Sequence, residues 1–325
     1  MDAAAIESEM EGVVAEYGPW TAHNIHLGEG VYTIVPGIEG DNELRLQRIV
    51  QIVFDVSPKP IAELRVLDLG CLEGLFAVEF ARHGAEVVGL EGREANIAKA
   101  RFAKDALALD NLELVQDDIR NLSRAKYGEF DVVLCLGVLY HFDAPEVFEV
   151  LEHVAEVCRG LAIVETHIST IRRAKFTHAG RTYWGSTLDE PTSSASEVDR
   201  RLLWAALGNP RSVLLTHTSL CNALVHSGFT TVFESHMPVE GETSPDWVTL
   251  LAVKSARQRL LSAPAVNDLG SSDLPEETWP VSARKHARVL FKNRVWYQST
   301  NSRAYYLLRR LLPERARRAL VRLVS

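Results

Sequence analysis

Cysteine is scarce in this chain: four residues in 325, Cys71, Cys135, Cys158 and Cys221, with no C-x-x-C pair among them. That scatter argues against a disulfide framework or a zinc site and fits the reduced thiols of a cytosolic protein. Long apolar runs are also missing, and none reaches the ~20 residues that a membrane span requires. The opening MDAAAIESEMEG is acidic and lacks the basic and apolar regions of a signal peptide. The expected location is therefore the cytoplasm. No internal repeat is apparent. With 46% hydrophobic and 24% charged residues, the composition excludes wholesale disorder.

Positive charge is in short supply everywhere but at one end. From Arg284 to Ser325 there are twelve Lys or Arg against one acid, Glu314, a surplus of +11. The whole chain carries −8, which leaves −19 for the residues before that tail. An acidic body is poorly suited to gripping nucleic acid. Within the tail, 302–324 reads as two short amphipathic helices, the second starting at Pro313. Such a segment fits contact with the acidic body, a second subunit or an anionic membrane surface, the last making the protein membrane-peripheral.

What is present is rhythm. Between Arg65 and His167 strand-like runs alternate with helical patterns, the signature of a parallel sheet with crossover helices. The strands expected are Arg65–Leu69, Glu86–Glu91, Leu112–Gln116, Phe130–Leu136 and Leu161–His167. Helices are expected over Leu72–Arg82, stopped by Gly84, over Glu94–Leu109, and after Pro145. The pattern breaks at 168–215, read as an insertion covering the site, in which DRRLLWAAL is helical. It resumes with a helix capped by Ser219 and ended near Gly228, then strands Thr231–His236 and Trp247–Val253. Upstream, Trp20 to Tyr32 is expected to form a strand pair or lid, and Asn42–Phe54 a lead-in helix.

This gives an α/β, Rossmann-like fold: a seven-stranded, mostly parallel sheet with helices on both faces, an insertion after strand five and a basic helical C-terminal extension. The boundaries follow: residues 1–60 as cap and lead-in, 61–255 as the ligand-binding domain, 256–283 as a Pro- and Ser-rich acidic linker, and 284–325 as the tail.

The strongest local signal is Val66-Leu67-Asp68-Leu69-Gly70-Cys71-Leu72-Glu73-Gly74. A buried strand ends in an acid, and glycines let the backbone turn sharply into a helix whose amino end faces a ligand. A glycine turn alone also arises for purely structural reasons, so context decides. Glu91 ends the next strand, where a carboxylate can accept both ribose hydroxyls of an adenosine. Asp117 and Asp118 end the third, where a carboxylate can receive an adenine amino group. Acids at three successive strand ends suit a cationic adenosyl ligand and repel a pyrophosphate.

On these residues the chain resembles the class I S-adenosylmethionine-dependent methyltransferases, from Arg65 to about Lys254. The resemblance implies that Asp68, Gly70, Cys71, Leu72 and Gly74 border the methionine part. It places Glu91 and Gly92 at the ribose, Asp117, Asp118 and Ile119 at the adenine, and Leu136 at the end of strand four. The run Gly137-Val138-Leu139-Tyr140-His141, with Trp20 to Gly37 upstream, looks like the branch containing tRNA wobble-uridine modifying transferases. No equivalent of that branch's basic residue for a carboxylated cofactor is found, so ordinary S-adenosylmethionine, leaving S-adenosylhomocysteine, is implied.

The function implied is methyl transfer to a hydroxyl or similar heteroatom of a small molecule or glycan. Alternatives are tRNA base modification, disfavoured by the acidic body, and a non-catalytic S-adenosylmethionine-binding protein. Transfer is an in-line displacement, in which the protein positions the acceptor and takes a proton if the acceptor is an alcohol. Candidate bases are His141 and His167, with Tyr140 shaping the pocket. Nothing in the spacing of His141, Asp143 and His167 is diagnostic of a metal site. Phe76, Tyr183 and Trp184 are candidates for lining the cation's pocket, or for plain packing. Arg172, Arg173, Lys175 and Arg181 read as a solvated face that an acidic substrate would also suit.

Overall fold

Apolar runs such as Val-Leu-Asp-Leu and Asp-Val-Val-Leu-Cys-Leu suit the middle of a parallel sheet covered by helices on both faces. The computed structural model shows that sheet and describes residues 2–34, 41–190, 203–204, 206–235 and 246–268. The tail with its 302–324 pattern lies outside the described residues, as do most of the expected linker and most of the expected helix at 199–207.

The chain opens with helix α1 (Ala3–Tyr17), capped by Asp2, whose side chain accepts the Ala5 amide at 2.9 Å. A short antiparallel pair follows, β1 (His26–Gly28) and β2 (Val31–Tyr32), then helix α2 (Asp41–Val56). The alternating core comprises β3 (Arg65–Leu69), α3 (Leu75–Arg82), β4 (Glu86–Glu91), α4 (Glu94–Ala106), β5 (Leu112–Gln116), the single turn α5 (Arg124–Tyr127), β6 (Phe130–Leu136), α6 (Glu146–Val157) and β7 (Cys158–His167). Next come β8 (Ala174–His178), β9 (Arg181–Asp189) and β10 (Arg211–Leu215). Helix α7 (His217–Ser227) and strands β11 (Thr231–Glu234) and β12 (Trp247–Val253) complete the sheet.

The seven strands run in the order β11-β12-β7-β6-β3-β4-β5, with β12 alone reversed, antiparallel to both β7 and β11. The order reverses between β3 and β6, and at such a switch point the carboxyl ends of the strands part to leave a crevice. Alternation along each strand divides the core. Leu67, Leu69, Val133 and Cys135 pack with α6 and α7. Val66, Val132 and Leu134 pack with α1 to α4. Among the described residues no helix is long and apolar enough to cross a membrane.

Four expectations need correction. The first crossover helix starts at Leu75 rather than Leu72, because the glycine turn extends further: Leu72 and Gly74 both adopt positive φ, 51° and 92°. Helix α4 stops at Ala106. Helix α7 is capped by Thr216, whose hydroxyl accepts the Ser219 amide; Ser219 lies inside the helix. The insertion contains a three-stranded antiparallel sheet, β10-β9-β8, where no strands were expected. Its strands are mixed in polarity, so they carry little period-two signal.

Candidate functional site

The crevice above β3, β4 and β6 is lined by Asp68, Gly70, Cys71, Leu72, Glu91, Gly92, Asp117, Asp118, Ile119 and Leu136, all of them candidates from the sequence. Gly74 is not on the lining. It lies behind the turn, where a Cβ would come within 2.9 Å of the Ala100 methyl, so its role is close packing of α3 against α4. Gly70 turns the chain out of β3 at φ 63°.

Asp68 is 2% exposed at the end of β3. The Ala77 amide in the first turn of α3 donates to its carboxylate, but its Oδ2 has no partner. Burial pushes this carboxyl up to about 7, against the pull of the Ala77 amide and of Arg45. Glu91, also buried, accepts the Leu72 amide at 3.1 Å, the Arg93 amide at 2.9 Å and Asn96 Nδ2 at 3.4 Å. Burial raises its carboxyl, and those donors oppose the rise.

The two acids after β5 are held differently. Asp117 takes hydrogen bonds from Lys126 Nζ at 2.6 Å, from Asn121 Nδ2 at 2.8 Å and from the Tyr127 hydroxyl. Burial would raise this carboxyl, but those donors outweigh it and bring it down to about 2. Asp118 accepts the Arg120 amide at 2.9 Å and pairs with the Arg120 guanidinium. That guanidinium also reaches Glu146, Asn209 and the Leu207 carbonyl, tying 207–209 to the rim.

Sequence reasoning missed the cationic member of the site. Arg45 projects from α2 into the crevice, pairs with the buried Glu165, and lies over the rings of Phe76 and Trp247, 5.2 and 5.6 Å from their centroids. Its Nη2 is buried without a partner. A signal was available: Arg45 stands four and eight residues before Ile49 and Val53, a charge in the buried stripe of α2. Phe76 lines the crevice, whereas Tyr183 and Trp184 do not. Tyr183 is core, its ring tilted against Phe148 and its hydroxyl 2.8 Å from His226 Nδ1, and Trp184 lies under Arg172.

A cover for the crevice comes from the expected lid at Trp20 to Tyr32. Glu73 and Lys99, both fully buried, form an ion pair at 3.3 Å. Glu73 accepts the amides of Thr21, Ala22 and His23 and the Thr21 hydroxyl at 2.7–3.1 Å, and Lys99 donates to the Pro19 carbonyl at 2.8 Å. Burial pushes His23 down to about 4, so it is neutral, and its Nδ1 accepts the Leu75 amide. Ala22, His23 and Trp204 line the crevice, and Trp204 Nε1 donates to the Thr21 hydroxyl at 3.0 Å.

Tyr140 and His141 follow β6 on a single tight turn, Leu139–His141, and both face the crevice. His141 Nδ1 is 3.1 Å from Glu190 Oε1. His167 ends β7 but is not on the lining. It packs edge-on against Tyr140 and Trp247 and pairs with Asp246 at 3.2 Å. Asp143, the third member of the conceivable metal set, pairs with Arg211. Among the described residues no group of three His, Cys, Asp or Glu is placed to hold a metal ion.

A mostly parallel sheet whose crevice opens at the switch point, with acids at successive strand ends, is a Rossmann-like arrangement. Residues 66–160 match the family described as a methyltransferase domain. The chain is similar to the ubiquinone biosynthesis O-methyltransferase of Acinetobacter baumannii (strain AYE), 31% identical over 134 residues, which are 41% of this chain and 52% of that protein. It thus spans about half the length of the curated relatives it matches. The N-terminal domain of EvdMO1 with SAH bound is 26% identical, with a TM-score of 0.59 over 79% of this chain and 98% of that one. The same domain in the presence of SAH and D-fucose gives 0.58, over 77% and 97%, at the same identity.

Proposed function

We propose that this chain binds S-adenosylmethionine in the crevice and transfers its methyl group to a hydroxyl or similar heteroatom of a small molecule or glycan. The observation that carries the reading is a pair of buried, unsatisfied atoms of opposite charge, Asp68 Oδ2 and Arg45 Nη2, on two residues that line one cavity. A buried polar atom without a partner costs on the order of 1–3 kcal/mol, and an amino acid's ammonium and carboxylate would satisfy both. Glu91 is built to accept ribose hydroxyls: backbone amides fix it, and it keeps lone pairs for a ligand. The acids on the lining disfavour a pyrophosphate, and with it NAD.

When bound, S-adenosylmethionine supplies a methyl group on a sulfonium, a leaving group needing no further activation. The chain's own part is positional. Asp68, Arg45 and Glu91 hold the donor, while the cover formed by Thr21 to His23 and Trp204 keeps water from the reacting atoms. Tyr140 shapes the acceptor side, and His141 or His167 takes the proton of an alcohol. The sugar in the EvdMO1 structure makes a deoxysugar hydroxyl the first acceptor to try.

The deciding experiment is calorimetric titration with S-adenosylmethionine, S-adenosylhomocysteine and NAD in turn. Micromolar affinity for the first two and none for NAD is expected. Absence of binding by a folded sample would remove the reading. Binding with no turnover across hydroxyl acceptors, D-fucose included, would leave an S-adenosylmethionine-binding protein without the transfer.

A further inference from the structure

Two histidines at the crevice carry the same local arrangement, an imidazole Nδ1 beside a carboxylate, and the structure separates them. His167 and its partner Asp246 are each 38% exposed, and His167 is off the cavity lining. His141 is on the lining, its side chain 18% exposed, and its partner Glu190 is 6% exposed. We infer that Glu190 is a positioning residue: it holds the Nδ1–H of His141 and thereby turns the Nε2 lone pair toward the cavity, as the proton acceptor for a neutral hydroxyl. The inference rests on the methyl-transfer reading and assigns the base to His141 over His167.

The argument begins with burial. A carboxylate this deep needs proton donors on its oxygens. Among the described residues Glu190 Oε1 has the His141 ring nitrogen at 3.1 Å, and Oε2 has the Ala206 amide at 3.4 Å. An ionised carboxylate only accepts, so the imidazole must donate from Nδ1. In a neutral ring the acceptor is then Nε2. The backbone on each side is fixed too. The Glu190 amide donates to the Pro210 carbonyl at 3.0 Å, and Asn209 Nδ2 donates to the His141 carbonyl at 3.3 Å. The carboxylate arrives directly after β9, so the inserted sheet does more than cover the site. It supplies the group that orients the base.

The chemistry narrows the acceptor. As the oxygen–carbon bond forms and the carbon–sulfur bond breaks, the sulfur keeps the bonding pair and the acceptor oxygen becomes cationic unless its proton leaves. His141 Nε2 takes that proton, and the resulting imidazolium is balanced by Glu190. An acceptor that is already an anion, such as a carboxylate, has no proton to give and no use for the pair. The class implied is therefore a neutral acceptor that carries a proton, an alcohol under the reading above.

The groups facing His141 are Glu190 after β9, Arg93 after β4, His167 at the end of β7 and the adjoining Tyr140 ring. Burial lowers the imidazole's proton affinity, Glu190 raises it, and Arg93 and His167 lower it again. Removing the Glu190 charge must therefore lower the midpoint.

The test is long-range proton–nitrogen NMR on the ¹⁵N-histidine-labelled full chain, with the His141 signals assigned by Glu190-independent loss in His141→Gln. In the wild type, neutral His141 is expected with its proton on Nδ1. In Glu190→Gln its titration midpoint should fall by about one pH unit. A neutral wild-type ring protonated on Nε2 would overturn the inference even if the variant failed to fold, and so would an unchanged midpoint in Glu190→Gln. Calorimetry with S-adenosylhomocysteine on the same samples reads the cofactor separately. Failure to bind in the wild type removes the methyl-transfer reading and leaves the tautomer and midpoint to be read on their own.

Discussion

The floor and the cover of the crevice are built on opposite plans. On the floor, each functional carboxylate is placed by groups at most 19 residues away in sequence. Asp68 is fixed by the turn into α3, Glu91 by the amides of Leu72 and Arg93, and Asp118 by the Arg120 amide two residues on. On the cover, buried carboxylates act at long range. Glu73 holds Thr21 to His23, about fifty residues earlier, and Glu190 meets His141, 49 residues away. A floor of that kind tolerates changes elsewhere, because strand and turn set it locally. The cover depends on a few side chains whose loss leaves charged or polar atoms stranded.

The sharpest way to break this contrast is Glu73→Ala. It strands the buried Lys99 and four donors of the Thr21–His23 segment, and the expected loss of stability is about 3–5 kcal/mol in urea unfolding. A loss below about 1 kcal/mol would mean that the cover is not held this way. Next in size is Glu91→Ala on the floor. Stability should change less than in Glu73→Ala, while S-adenosylhomocysteine should bind about 10- to 100-fold more weakly, from losing hydrogen bonds to a charged group. Unchanged calorimetric affinity would remove Glu91 from the ribose.

The smallest effect is a pH dependence. A ligand ammonium needs the ionised form of Asp68, whose carboxyl is raised to about 7. Above that value the carboxylate is ready, and affinity is flat. Below it the ligand must displace a proton, so affinity falls by up to about tenfold per pH unit. Asp68→Asn should bind weakly with no such slope. A wild-type affinity that stayed flat from about pH 7 to 5 would contradict the role of Asp68.

The same contrast explains what could be read from the sequence. The five parallel strands, nine of whose ten boundaries were visible as apolar runs, follow from burial on both faces; the one that differs is the start of β7, at Cys158 rather than Leu161. The acids at their ends were visible because a strand end has a fixed place in the fold. The turn at Leu72 hid the true start of α3, since a leucine at positive φ leaves no mark in composition. Arg45 was passed over because a lone arginine in an apolar stripe reads as a helix surface until Glu165 and the crevice are brought to it. Glu190 was unreadable: its partner is reached only after β9 and β10 fold back over the strand ends. The resemblance to the wobble-uridine branch, carried by Gly137 to His141, has no counterpart among the relatives described above.

The placement of Glu73 inside the glycine turn, between Gly70 and Gly74, has a bearing on protein engineering. A designer who lifted that five-residue turn into another sheet would import the anchor for a lid together with it. Without a matching Trp20 to His23 segment and a lysine at the place of Lys99, the graft would carry a naked buried acid. The loop is half of a two-part fitting, and exchange between scaffolds has to move both parts together.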